Sequence, residues 1–136
     1  MGDVRVHTHH EHRRLYAQAQ LVVERHYAKR LTLVSLARAL ATSPRQVQRA
    51  YERFGASTFR EQLITRRMRA AAELLAQPAI PVTHVARLVG YRHASHFSKT
   101  FRARYGISPA RFRAELCASR ERAGRPPSER VPTHGS

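Results

Sequence analysis

The chain has 136 residues and carries 25 lysines and arginines against 9 acidic residues, a formal net charge of +16. That length allows one compact domain, or two very small units that share an element. The lone cysteine, Cys117, excludes an intramolecular disulfide and a cysteine-based zinc finger. No apolar run approaches the ~20 residues a membrane span needs, and residues 1–12 lack the hydrophobic stretch of a signal peptide. A reduced, cytoplasmic setting with no membrane partner is therefore expected.

The charge is not in the ends. Residues 1–12 sum to −1, residues 117–136 to +2, and residues 13–116 hold twenty basic and five acidic residues, a net of +15. A basic body implies an anionic partner, and nucleic acid is the usual one. All the basic residues except Lys29 and Lys99 are arginines, whose planar fork suits phosphate and guanine, although GC-rich coding produces the same bias.

Taken in chain order, residues 1–12 are polar and histidine-rich and read as a disordered tail. Apolar positions then recur at helical spacing only. Leu15, Ala19, Val22, Val23 and His26 form one face of a first helix over 14–28. Thr32 caps a short second helix over 33–41. Ser43 followed by Pro44 is a cap with proline at the first helical position, opening a third helix that runs to Phe54. Thr58 and Glu61 have capping-box spacing at the head of a long helix over 59–77, closed by Pro78 and Pro81. Thr83 starts a fifth helix that Gly90 ends. A sixth covers 94–105, and Ser108-Pro109 opens a seventh through Leu116. The expected fold class is all-α, with seven helices in two helix-turn-helix subdomains. In residue ranges the first subdomain is 13–57, the linker helix 58–77 and the second subdomain 78–116. Residues 117–136, rich in Pro, Gly, Ser and charge, read as a second disordered tail.

The two-unit organisation comes from an internal repeat. LVSLAR (33–38) matches VTHVAR (82–87), and VQRAY (47–51) runs in register with FSKTF (97–101). Each half is a short helix, a tight turn and a longer helix, the helix-turn-helix arrangement. The repeat predicts inward faces of Val47, Tyr51 and Phe54 in one half and Phe97, Phe101 and Tyr105 in the other. Outward on the longer helices it leaves Arg45, Gln46, Gln48, Arg49 and Glu52, and Ser95, His96, Ser98, Lys99 and Arg102. Arginine and lysine pair with guanine, glutamine with adenine and serine with either. Any exposed helix face is polar; these faces lie on the second helix of each unit, where groove contacts originate.

The stretch from Pro81 to Arg113, PVTHVARLVGYRHASHFSKTFRARYGISPARFR, resembles the C-terminal signature of the AraC/XylS family of bacterial transcription regulators. The stretch LVSLARALATSPRQVQRAYERF is similar to that family's first unit. The resemblance implies two recognition helices entering successive major grooves. Its base-reading positions fall on Arg45, Gln48 and Arg49, and on Ala94, Ser95, His96, Ser98 and Lys99; Arg53 and Arg102 are the expected backbone contacts. Three positions depart from the pattern. Ala56 stands where glycine is common, with Gly55 one place earlier; Gln62 stands where an aromatic is common; His93 stands where a small capping residue usually opens the sixth helix. The length matches stand-alone members of the family, or equally an excised domain.

The expected partner is double-stranded DNA, bound as a monomer, with RNA polymerase as a conceivable second one; no cofactor is expected. The alternative is a nonspecific nucleic-acid-binding or architectural protein, since charge alone gives nonspecific binding. An enzyme is not expected, because the acidic residues of the body are scattered singly and no nucleophile–base set or phosphate loop occurs. His7, His9, His10 and His12 have the density of a metal chelate, but a flexible tail offers no fixed geometry, and the expectation is no metal site. Cys117 reads as incidental, Arg66, Arg67 and Arg69 as solvated or phosphate-facing, and Tyr16 and Tyr27 as core edges.

Overall fold

The computed structural model describes residues 2–124, with side chains from residue 8 onward. Among these residues the chain forms seven helices and no strand: α1 (Gly2–His26), α2 (Leu33–Ala39), α3 (Pro44–Phe54), α4 (Phe59–Leu75), α5 (Val82–Leu88), α6 (Ala94–Tyr105) and α7 (Pro109–Gly124). The caps expected from the sequence are the ones that start the helices. Thr32 accepts from the Ser35 amide, Ser43 from that of Gln46 and Thr58 from that of Glu61, with Glu61 answering Thr58 in a capping box. The fifth helix begins at Val82, one residue before Thr83, and its cap residue Pro81 supplies no side-chain bond.

Two expectations at the ends need correction. Helix α1 begins at Gly2, so residues 2–12, read as a disordered tail, carry helical backbone. His12, only 1% exposed, lies on the same stripe as Leu15, Ala19 and Val23, at i, i+3, i+7 and i+11. A histidine in place of an aliphatic residue hid the start of the stripe. At the other end α7 runs to Gly124, past the expected stop at Leu116. Residue 1 and residues 125–136, the rest of the two expected tails, lie outside the described residues.

Two cores form, one per unit. Val23, Leu36, Val47, Tyr51 and Leu63 centre the first, and Met68, Leu75, Val85, Phe97 and Phe101 centre the second. Phe97 and Phe101 are fully buried, each such side chain stabilising by about 1.5–3 kcal/mol. Helix α4 serves both cores, giving Phe59 and Leu63 to the first and Met68, Ala71 and Leu75 to the second. Tyr27, just beyond α1, packs against both. The closely packed helix pairs lie within a unit or involve α4, so α4 is the shared spine.

Phe54 and Tyr105, expected on the inward faces, are less buried than their partners. Phe54 is half-buried between His9 and Tyr16. Tyr105 is 37% exposed but stacks on Phe101 and donates its hydroxyl to the Met68 carbonyl at 3.3 Å. The amphipathic ring thus covers the core edge while its polar tip meets water and backbone.

The α2–α3 and α5–α6 turns are the same turn built from different residues. Ala41 (φ 53°) and Gly90 (φ 101°) hold equivalent positive-φ positions. The amides that follow close the same wide bond, Thr42 to the Ala37 carbonyl and Tyr91 to the Ala86 carbonyl, both 2.9 Å. This is a Schellman end, with the left-handed residue at C′.

Candidate nucleic-acid interface

On α3, Arg45, Gln48, Arg49 and Arg53 are all exposed. Arg45, Gln48, Arg49 and Glu52 stand at i, i+3, i+4 and i+7, so they share one face. On α6, Ser95, His96, Lys99 and Arg102 are exposed and Ser98 is half-buried, at the rim of a shallow hollow with Arg102 and Ser108. Ala94 is half-buried against the second core. The His96 ring meets Tyr91 edge-on at 5.2 Å, which braces it from behind. Each polar face is opposite a buried stripe, Val47–Tyr51 on α3 and Phe97–Phe101 on α6. The fold therefore presents both sets outward on equivalent helices.

Gln46 departs from the expected outward set. It is half-buried, and its side-chain carbonyl is hydrogen-bonded to His12 Nε2. That bond ties the early part of α1 to the first turn of α3, beside Arg45. No spacing rule in the sequence links residues 12 and 46; only the buried stripe extended back through His12 would have revealed it. His7 lies among the residues whose side chains are not described. Among the described residues no three metal-ligating side chains come together.

Two of the three departures from the family pattern have local explanations. Gln62 accepts a 2.6 Å bond from the Tyr51 hydroxyl and is hydrogen-bonded to Gln20, so a polar relay between α1, α3 and α4 fills the place of an aromatic ring. Burial, reinforced by Tyr16 and partly opposed by Gln20, raises the Tyr51 pKa well above its ordinary value. Gly55 is extended (φ −88°), yet a Cβ there would lie 2.8 Å from the Tyr51 carbonyl and 3.0 Å from that of Ser57. The glycine is needed one position before Ala56 because the chain turns tightly there and two carbonyls crowd the position a Cβ would take. His93 has extended cap geometry, φ −119° and ψ 124°, but makes no side-chain cap bond.

Of the linker arginines expected to be solvated or phosphate-facing, Arg66 and Arg67 are instead engaged within the fold, while Arg69 is exposed. Arg66 is 17% exposed at its side chain, lies 3.0 Å from Glu24 without hydrogen-bond alignment, and stacks 4.1 Å over the Tyr27 ring. Arg67 Nε and Nη2 donate to the Tyr27 and Lys29 carbonyls at 2.8 and 2.9 Å, satisfying acceptors that the end of α1 leaves open. Burial pushes the Arg67 pKa down, with Tyr91 opposing the shift, and the guanidinium stays charged. Arg69 is exposed and pairs with Glu24 at 3.1 Å. At the far end of α4, Arg113 and Arg120 of α7 donate to the Leu75, Gln77 and Ala76 carbonyls.

Comparison with known proteins gives this arrangement a family. A profile described as "Helix-turn-helix domain" matches residues 36–115, more than half of the chain. The chain belongs to the AraC/XylS family. Among solved AraC-type structures, the C-terminal domain of AraT, a response regulator from Geobacillus stearothermophilus, is 30% identical. The alignment covers 89% of this chain and 93% of that one, with a TM-score of 0.71. The DNA-binding domain of AdpA, solved in complex with a target DNA, is 28% identical over 78% of this chain and 96% of that one, with a TM-score of 0.73. Among curated relatives, the transcriptional activator RhrA of Rhizobium meliloti is 31% identical, covering 76% of this chain and 33% of the relative. The regulator CdhR of Pseudomonas aeruginosa is 32% identical, covering 69% and 28%. The chain thus spans about a third or less of the length of these curated relatives. No described helix is long and apolar enough to cross a membrane.

Proposed function

We propose that this chain is a sequence-specific DNA-binding transcription regulator that inserts α3 and α6 into successive major grooves on one face of the duplex. One observation carries the reading: repeat-related helices, each backed by a buried stripe, expose Arg45, Gln48 and Arg49 on one and Ser95, His96 and Lys99 on the other. Arginine and lysine match guanine and glutamine matches adenine, while serine adapts to either. Ser98 sits at the rim of this face, and Arg53 and Arg102 follow one turn on, where phosphates flank the groove.

The spine supports the spacing. Helix α4 has 17 residues, about 26 Å at 1.5 Å per residue, and successive grooves on one face are ~34 Å apart. A modest offset of the flanking units or a bend in the DNA closes the difference. Because the two reading faces differ, a monomer covers two unlike boxes, an asymmetric site of about 20 base pairs.

Selection of bound duplexes from a random pool, followed by footprinting and sedimentation, tests this. A 1:1 complex protecting two different boxes one turn apart is expected. A palindrome bound by two chains overturns the monomer, and protection of one box overturns the role of α6. Recovery of no consensus returns the protein to nonspecific binding, which its +15 body alone would support.

A further inference from the structure

We propose that Arg67 is a positioning residue that fixes the relative orientation of the two helix-turn-helix units, and through it the box spacing the protein accepts. The spacing part rests on the two-groove reading above; the orientation part does not.

The case is geometric. Arg67 projects from the middle of α4, between the residues given to the first core (Phe59, Leu63) and those given to the second (Met68, Leu75). Its fork holds the first unit by two carbonyls just past the end of α1, at Tyr27 and Lys29. Its guanidinium carbon also lies 5.5 Å from the centre of the Tyr91 ring, in the second unit's turn, within cation–π range. At Gly90 of that turn, a Cβ would stand 3.1 Å from Arg67 Cζ and Nε and 3.0 Å from the Ala28 carbonyl. The exit of α1, the centre of α4 and the α5–α6 turn therefore meet at one guanidinium. Since the closely packed helix pairs lie within a unit or involve α4, this junction is where their orientation is set beyond their separate seats on α4. A planar, permanently charged fork with several donors suits the task. Tyr27, held under Arg66 and packed on both cores, backs the same point.

Loosening the junction should leave each unit folded and let the α3–α6 distance vary. A pair of reading elements held rigidly has its effective concentration focused on one spacing; a loose pair spreads it over several. Spin labels at Glu52→Cys on α3 and Ala103→Cys on α6, both exposed positions, in a Cys117→Ser background, report that distance without DNA. The chain with Arg67 is expected to give one narrow distribution. Arg67→Met, which keeps the stem but loses the fork, should broaden it, with helical content by circular dichroism unchanged. Arg67→Lys keeps the charge but cannot bridge two carbonyls and a ring; it should be intermediate, and it carries the test alone if Arg67→Met does not fold. On the selected DNA, moving one box by half a turn should weaken the parent about tenfold or more and Arg67→Met by no more than about threefold. Unchanged distributions in the variants that fold overturn the proposal. A parent indifferent to spacing overturns the two-groove reading instead, and the distance measurement still decides the role of Arg67.

Discussion

The sixth helix lacks the cap that its counterpart has, and restoring it should stabilise the protein measurably. Ser43 and His93 hold the same place in the repeat, both with extended backbone: φ −90° and ψ 154° for Ser43, φ −119° and ψ 124° for His93. Ser43 accepts from the Gln46 amide at 3.3 Å; His93, exposed, caps nothing. A serine at position 93 therefore needs no backbone change to reach the His96 amide. A cap of this type contributes about 0.5–2 kcal/mol, and the length of the Ser43 bond argues for the lower half, about 0.5–1 kcal/mol. For a folded body of this size, 1 kcal/mol shifts Tm by about 4 °C, so His93→Ser should raise the melting midpoint by roughly 2–4 °C, read by circular dichroism. Ser43→Ala should lower it by a similar amount, and the double variant should come out near the starting value, because the two caps lie in different units and share no partner. If Ser43→Ala destabilises while His93→Ser changes nothing, the first turn of α6 is satisfied by other means and the argument from repeat equivalence fails.

Gly90→Ala should cost at least about 2 kcal/mol, combining strain at φ 101° with contacts at 3.0 and 3.1 Å that force the Arg67 fork to move. Ala41→Gly, relieving a milder left-handed residue with greater freedom in the unfolded chain, should stay within about 0.5 kcal/mol of neutral. Urea denaturation of the two variants checks the contrast, and equal effects would refute it. Affinity for the selected site should fall with salt at a log–log slope near −5, for about six neutralised phosphates; a slope shallower than about −2 would refute extensive backbone contact. Replacing Arg49 by alanine should cost about 1–3 kcal/mol on the selected site and relax one base pair. Equal losses on random DNA would make Arg49 a phosphate contact only.

The helices that announced themselves were those with a cap on one side and a stripe on the other. Ser43-Pro44, Thr58 with Glu61, and Gly106 after Tyr105 are local signals, satisfied within four residues, and the structure uses all of them. What was not legible depends on partners far away in sequence. His12 reads as tail until Gln46, thirty-four positions on, is seen to bond it. Gln62 reads as a lapse from an aromatic until Tyr51 and Gln20 close around it. Arg66 and Arg67 look like any charged helix surface, because nothing local distinguishes a guanidinium in water from one that holds the end of α1. The left-handed conformation of Ala41 is hidden for a different reason: its mate is a glycine and it is not, so the residue that ends the helix reads as one more helical alanine. The exposed faces of α3 and α6 were read from the repeat alone, since buried stripes in register leave opposite faces in register too.

The difference between the two turns has a consequence for building chimeras. The α2–α3 turn has an alanine at its left-handed position, so α2 and that turn can be exchanged for others of their kind provided the replacement keeps its own stripe and cap. The α5–α6 turn is held from outside: Gly90 and Tyr91 must travel with it, because they are the surface on which Arg67 and the end of α1 rest. Grafts that rewrite the first box are thus free to take a foreign α2 and turn, provided α3 keeps Gln46 and Tyr51 for His12 and Gln62 and α1 keeps the exit that Arg67 holds. Grafts aimed at the second box should be confined to the exposed positions of α6 and leave its turn untouched.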